Sequence, residues 1–197
     1  FFVTYSLYRS IPKSKMNSIK NEYHNIKADT ALSDKDTNVL KNRSRKIYLD
    51  KIDQILNHKD NMGPHWLKNP EIAKIVSDSL HYWNGIQLDL YAYCIMSNHV
   101  HVVFEMFDKK RVNNEKSLNE ILHSIKRYSA NKANKILNRT GQFWMNESYD
   151  YLIKNEKEIV RIIEYTLDNP IKAGICKERS DWKWSYVNNE YRYLLEW

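Results

Sequence analysis

The chain's 197 residues include 31 Lys and Arg against 24 Asp and Glu, a net charge of +7, with 42% hydrophobic and 13% aromatic residues. That length suits one domain, 1–197, with a core of its own, and no apolar run approaches the roughly 20 residues that cross a bilayer. Two cysteines, Cys94 and Cys176, have neither framework nor metal-ligand spacing, which excludes a disulfide scaffold and makes a reducing cytoplasm the default.

In chain order, Phe1 to Tyr8 reads as a strand closed by Ser10 and Pro12. No basic-then-apolar leader is visible, and a few residues are expected to precede this strand. Ser14 to about Lys46 is polar, lysine-rich and poorly periodic, which predicts a loop or a loosely packed helix. Ile47, Leu49, Ile52, Ile55 and Leu56 then recur at helical spacing, up to a break at Asn61-Met62-Gly63-Pro64. Asn69 and Pro70 open a second helix as cap and first residue, with Ile72, Ile75, Val76 and Leu80 inward and Asn84-Gly85 as its stop. Ile86 to Met96 and His99 to Phe107 are strand-like and joined only by Ser97-Asn98, a two-residue hairpin signal.

Lys109 to Lys116 is a charged loop. Leu118 to Leu137 is a helix with a basic set, Lys126, Arg127, Lys132 and Lys135, that either solvates its outer face or meets phosphates. Ser148 to Ile153 alternates as a strand. Asn155 caps a last helix, with Glu158 placed to complete a capping box, Ile159, Ile162, Ile163 and Leu167 as its stripe, and Pro170 as its end. The aromatic tail, 176–197, carries Trp182, Trp184, Tyr186 and Tyr191 and is expected to pack on the body. The order predicts an α+β fold of ferredoxin-like split βαβ type, an antiparallel sheet covered by helices. The basic balance points to a polyanionic partner, nucleic acid being the commonest.

The chemistry sits in Met96-Ser97-Asn98-His99-Val100-His101 and in Tyr165-Thr166-Leu167-Asp168-Asn169-Pro170. In a strand His99 and His101 share one face while Val100 and Val102 enter the core. Two imidazoles one residue apart can hold a divalent ion in an open site. Asn169 follows Tyr165 by one helical turn, at or just past the helix end because of Pro170. Its amide oxygen would complete a three-ligand site of nitrogen and oxygen donors, suited to Mg²⁺ or Mn²⁺ more than to Zn²⁺. Such an ion polarises a phosphoryl oxygen, and the phenol of Tyr165 would be the attacking group. A tyrosine beside an apolar stripe is, taken alone, more often a packing residue.

With these motifs in view the chain resembles the single-tyrosine HUH transposases of the insertion-sequence (IS200-like) type, and within them the REP-associated tyrosine transposases. The resemblance rests on Phe2-Val3-Thr4-Tyr5, on Tyr91 to His101, on Gly141-Gln142-Phe143-Trp144 through Ser148-Tyr149-Asp150, and on Tyr165 to Gly174. It implies the HUH endonuclease fold and a metal-dependent endonuclease and strand transferase on single-stranded DNA that cuts beside hairpins and acts in the bacterial cytoplasm at the nucleoid. It implies His99, His101 and Asn169 as metal ligands and Tyr165 as the nucleophile that becomes linked to the 5′ end. It favours a monomer with an extra tail over a dimer that exchanges the tyrosine helix. The chain departs from the family in its long polar stretch from Ser14 to Lys46 and in Ser97, where proline is common; neither falls on the proposed site.

Two other readings compete. One is a catalytically silent hairpin DNA- or RNA-binding protein on the same fold. The other is a zinc hydrolase, for which Glu105 is the nearest acidic candidate on the histidine face. For base recognition the candidates are Lys126, Arg127 and the Trp182/Trp184 pair.

Overall fold

Strands appear where aromatic and β-branched residues crowd together, and helices where apolar residues return every three or four positions. The computed structural model describes residues 1–31, 37–58, 61–108 and 110–195. Its elements are β1 (Phe2–Ser6), α1 (Lys13–Ala31), α2 (Thr37–Leu56), α3 (Pro70–Trp83), β2 (Leu88–Ile95), β3 (His99–Met106), α4 (Leu118–Ile136), β4 (Tyr149–Tyr151), α5 (Glu156–Leu167), α6 (Asn169–Lys172), β5 (Ser185–Val187) and α7 (Asn189–Leu194). The centre of the polar stretch (32–36), Lys109 and the last two residues of the tail lie outside the described residues. The chain divides into two compact units, Arg9–Pro64 and Phe1–Tyr8 with His65–Trp197.

The larger unit is built on a five-stranded antiparallel sheet in the order β4-β1-β3-β2-β5. The first four positions are the split βαβ order expected from the sequence. β3 is central, flanked by β1 and β2. Alternation then sorts its side chains. Val100, Val102 and Phe104 join Val3, Tyr5, Tyr93 and Ile95 in a core with Ile72, Val76 and Leu80 of α3 and Ile121, Leu122 and Ile125 of α4. Fully burying each such aliphatic side chain is worth roughly 1.5–3 kcal/mol. The opposite parity of β3, with His99 and His101, lies on the face where α5 packs across β2 and β3.

Several expectations change in detail. Ser97 and Asn98 do form the two-residue link, with Met96 N–H donating to the His99 carbonyl at 2.9 Å. Neither has a positive φ, since among the described residues only Arg9, Asn138, Gly85, Gly141 and Gly174 do. The turn is therefore not one of the primed types that match strand twist. Its carbonyls are held from outside instead, by the N–H groups of Leu7 (2.8 Å) and Leu67 (3.1 Å).

Glu158 does not complete a capping box. Asn155 caps α5 through the Glu158 N–H at 3.0 Å, but the Glu158 carboxylate accepts from the Lys154 N–H (2.9 Å) and the Tyr151 hydroxyl (2.6 Å), tying the helix to β4. Ahead of β4, the Gly141-to-Trp144 segment runs beside β1. Tyr8 donates to the Phe143 carbonyl and Met145 to the Ser6 carbonyl, each at 2.8 Å, and Phe143 and Trp144 enter the core. The tail adds a strand, because β5 pairs with β2 and the Trp182 indole donates to the Ile95 carbonyl at 3.1 Å.

In the smaller unit the polar stretch is helical on both sides of 32–36, and α2 begins well before the periodic residues do. α1 and α2 pair with each other, and Lys51 bonds Glu22 between them. Polar residues dominate both helices, so their sequence reads as aperiodic. The break after α2 is held by Asn61, whose amide donates to the carbonyls of Ser10 (3.0 Å) and Ile55 (2.9 Å). Gly63 follows where a Cβ would stand 2.7 Å from Ser10 Cα, so only glycine fits.

Candidate active site

The two histidines converge as strand alternation requires. Their rings meet edge to face at 4.7 Å, and the two Nε2 atoms are 3.0 Å apart. Each Nδ1 has its own partner. His99 Nδ1 lies 2.6 Å from the Asn98 amide oxygen, and His101 Nδ1 lies 2.8 Å from Thr4 Oγ1, supplied by the β1 residue directly opposite in the register. An amide oxygen can only accept, so the His99 proton belongs on Nδ1 and its Nε2 lone pair faces inward. With the Thr4 hydroxyl accepting from His101 Nδ1–H, the Nε2 lone pairs of both rings turn inward.

Protonation would undo this arrangement, and the surroundings oppose it. Burial holds the His99 pKa well below the usual imidazole range, and the charges of His101 and His65 act in the same direction. Burial lowers His101 to about 3, with the nearby Lys172 ammonium adding to the shift and the Asn169 side chain, which accepts from the protonated ring, opposing it. Both rings are thus neutral at physiological pH, the form in which imidazole binds a metal. Two neutral imidazoles with their inner nitrogens 3.0 Å apart can hold a divalent metal ion.

α5 delivers the tyrosine. Its stripe of Ile162, Ile163, Thr166 and Leu167 is buried, which turns Tyr165 to the rim. The Tyr165 ring stands edge-on to His101 at 6.2 Å and to Phe2 at 6.0 Å, with the Lys172 ammonium 4.3 Å from its centroid. α5 ends at Leu167 with Asp168 as its cap, and the chain re-enters a single helical turn, α6, with Pro170 in its first positions. Arg179 from the tail fixes this corner by an ion pair to Asp168 at 2.6 Å. The corner buries Asn169, whose amide nitrogen donates to the Tyr165 carbonyl at 2.9 Å. Its oxygen is left to serve His101, in line with the bond that raises that ring's pKa.

The structure thus brings His99, His101, Tyr165 and Asn169 together. It does not bring the basic set of α4 to them, because α4 covers the other face of the sheet. Arg127, Lys132 and Lys135 are exposed there, with Lys132 5.9 Å from the Tyr128 ring centre. Lys126 turns inward, and its ammonium donates to the carbonyls of Met145 (3.0 Å), Asn146 (3.3 Å) and Glu147 (3.2 Å). Trp182 uses its indole N–H on the Ile95 carbonyl, and Trp184 lies under the Lys183 ammonium at 4.8 Å. Glu105 is exposed on β3 and accepts from the Tyr91 hydroxyl.

Three contributors were not foreseen. Thr4 is identified only by strand register. Asn98 could have been found as the polar neighbour of the first histidine, and Lys172 as the cation closing the turn that carries Asn169.

The site is thus a histidine pair on the central strand of an antiparallel sheet, faced by a helix tyrosine. The chain matches the family model described as "Transposase IS200 like" over residues 67–168, more than half its length, and it belongs to that family of transposases. No curated protein matches it. A solved structure of a REP-associated tyrosine transposase bound to a REP hairpin is similar to it, with 13% sequence identity and a TM-score of 0.53, over 93% of this chain and 73% of that one. At that identity the likeness establishes the fold. Among the described residues no helix is long and apolar enough to span a membrane.

Proposed function

We propose that this transposase is a metal-dependent single-stranded DNA endonuclease and strand transferase that cuts beside DNA hairpins through a covalent 5′-phosphotyrosine on Tyr165. The observation that carries the reading is the Tyr165 ring set against His101, with Asn169 bridging the Tyr165 backbone and that same imidazole. His99, His101 and Asn169 would hold the ion, Mg²⁺ or Mn²⁺. When bound, it supplies a Lewis acid at a phosphoryl oxygen.

The protein's own residues do the rest. Asn98 and Thr4 fix the tautomers and orientation of the two imidazoles. Phe2 and His101 hold the Tyr165 ring from two edges, so the phenol oxygen meets phosphorus without a search over rotamers. The phosphotyrosine ester retains the energy of the broken diester, so joining to a second DNA end needs no nucleotide cofactor.

A hairpin partner is supported by the similar solved protein, which is itself bound to one, and by the net charge of +7. Arg127, Lys132 and Lys135 offer phosphate contacts along α4, and Lys126 supports that surface through the 145–147 loop. A monomer is supported by α5 packing on the sheet of its own chain and by its tie to the tail.

The test is a covalent-adduct assay with labelled hairpins bearing random single-stranded flanks, in Mn²⁺, Mg²⁺ or EDTA, on a denaturing gel. We expect a metal-dependent shifted band that Tyr165→Phe abolishes while hairpin binding is retained. Binding without any adduct in the wild type would instead establish a silent hairpin-binding protein.

A further inference from the structure

We propose that Lys172 is a catalytic residue of this site, presenting its ammonium to the non-bridging oxygens of the phosphate that Tyr165 attacks; the inference rests on the nucleophile role proposed for Tyr165. Nothing in the family match reaches this residue, since the matched region ends at 168.

The geometry begins with α6. Its single turn starts at Asn169 and closes at Lys172, so one short element carries both an amide aimed at His101 and a cation aimed at the tyrosine. The ammonium stands 4.3 Å from the Tyr165 ring centre. The same charge is felt at His101, so the ammonium lies beside both the tyrosine and the histidine pair. Among the described residues, Arg179 pairs with Asp168, Lys126 holds three carbonyls, and the outer cations of α4 lie on the opposite sheet face. Among the described residues no carboxylate pairs with Lys172, and its side chain is exposed.

An exposed cation resting on an aromatic face is weakly held. A phosphate oxygen is the stronger partner, and a lysine's flexible four-carbon stem can exchange one for the other without moving its backbone. The need for charge is set by the reaction. The Tyr165 oxygen forms a bond to phosphorus while the P–O3′ bond breaks. The electron pair leaves with O3′, which takes a proton from water, and the phenol proton is released to water. Negative charge builds on the phosphoryl oxygens as the new bond forms, and an ammonium fixed beside them stabilises that stage more than the ground state. Lys172 keeps its own proton throughout and transfers nothing.

The test compares wild type, Lys172→Gln, Lys172→Arg and Tyr165→Phe in single-turnover adduct formation on the random-flank hairpin pool with saturating protein and Mn²⁺. Hairpin Kd in EDTA and thermal midpoints are measured in parallel. Lys172→Gln is expected to slow adduct formation about 10- to 100-fold, below the loss seen for buried oxyanion donors because this site is open. Its Kd should stay within about threefold of wild type, and Lys172→Arg should recover most of the rate. Three results would overturn the inference: a Lys172→Gln rate equal to wild type, a defect that tracks Kd and vanishes at saturation, or no recovery with Lys172→Arg. A wild type that binds the pool and forms no adduct removes the Tyr165 reading itself, and this inference with it.

Discussion

Lys126 offers the sharpest separation between a DNA contact and a structural one. Its ammonium is largely buried against three loop carbonyls and lies 5.6 Å from the Tyr5 ring centre. Burial lowers its pKa from 10.5 to about 8, with the Glu147 charge opposing the shift. The folded state therefore holds this proton less tightly than the unfolded chain does. Between pH 8 and 10.5 the unfolded chain binds more protons, so stability rises with pH across that window and is lost again as pH falls through 8.

Linkage gives about 1.4 kcal/mol per pH unit inside the window, so between pH 7 and 9.5 the Lys126 contribution grows by about 2 kcal/mol. Urea denaturation of wild type and Lys126→Met at the two pH values isolates it, because tyrosine and cysteine titrations cancel in the difference. At pH 7 Lys126→Met should leave hairpin affinity within about twofold, since the charge faces a loop and not a phosphate. A pH-independent stability difference, joined to a loss of affinity and a shallower salt dependence, would refute the inward role.

Two further substitutions probe how the site is held. Thr4→Val removes the partner of His101 Nδ1 while keeping a β-branched residue on β1. Mn²⁺ affinity, read by calorimetric titration, should fall about 10- to 100-fold, and unchanged affinity would mean that Thr4 does not orient the ring. Asn155→Ala deletes the α5 cap, and chemical denaturation should register a loss of about 1 kcal/mol; a loss under a few tenths would show water capping the helix equally well.

What was legible in the sequence was whatever repeats or adjoins. Val100 and Val102 alternate with His99 and His101, so the shared face of the pair could be read directly. Asn69 with Pro70 and Asn155 ahead of its apolar stripe marked helix starts to the residue. α1 was not legible, because its sequence is mostly polar and carries little periodic signal. The role of Glu158 was missed for a different reason: a capping box depends on sequence spacing alone, whereas its carboxylate was drawn to Tyr151, a neighbour created by the strand before it. Lys126 shows the same limit. Its place among other basic residues was visible, but its inward turn depends on carbonyls of a loop that only the fold brings near. Tyr165 needed both kinds of information, since spacing alone leaves it a packing residue.

The hydrogen bond between Thr4 and His101 spans 97 positions of the chain, and Tyr165 joins them from still further along. Such long-range closures come late in folding, after the local helices and the β2–β3 hairpin have formed. A nascent chain still short of α6 would carry both histidines on their hairpin without the tyrosine corner that would make them dangerous to DNA. A nuclease of the kind proposed would arm itself only once synthesis had passed α6, a form of timing written into the topology.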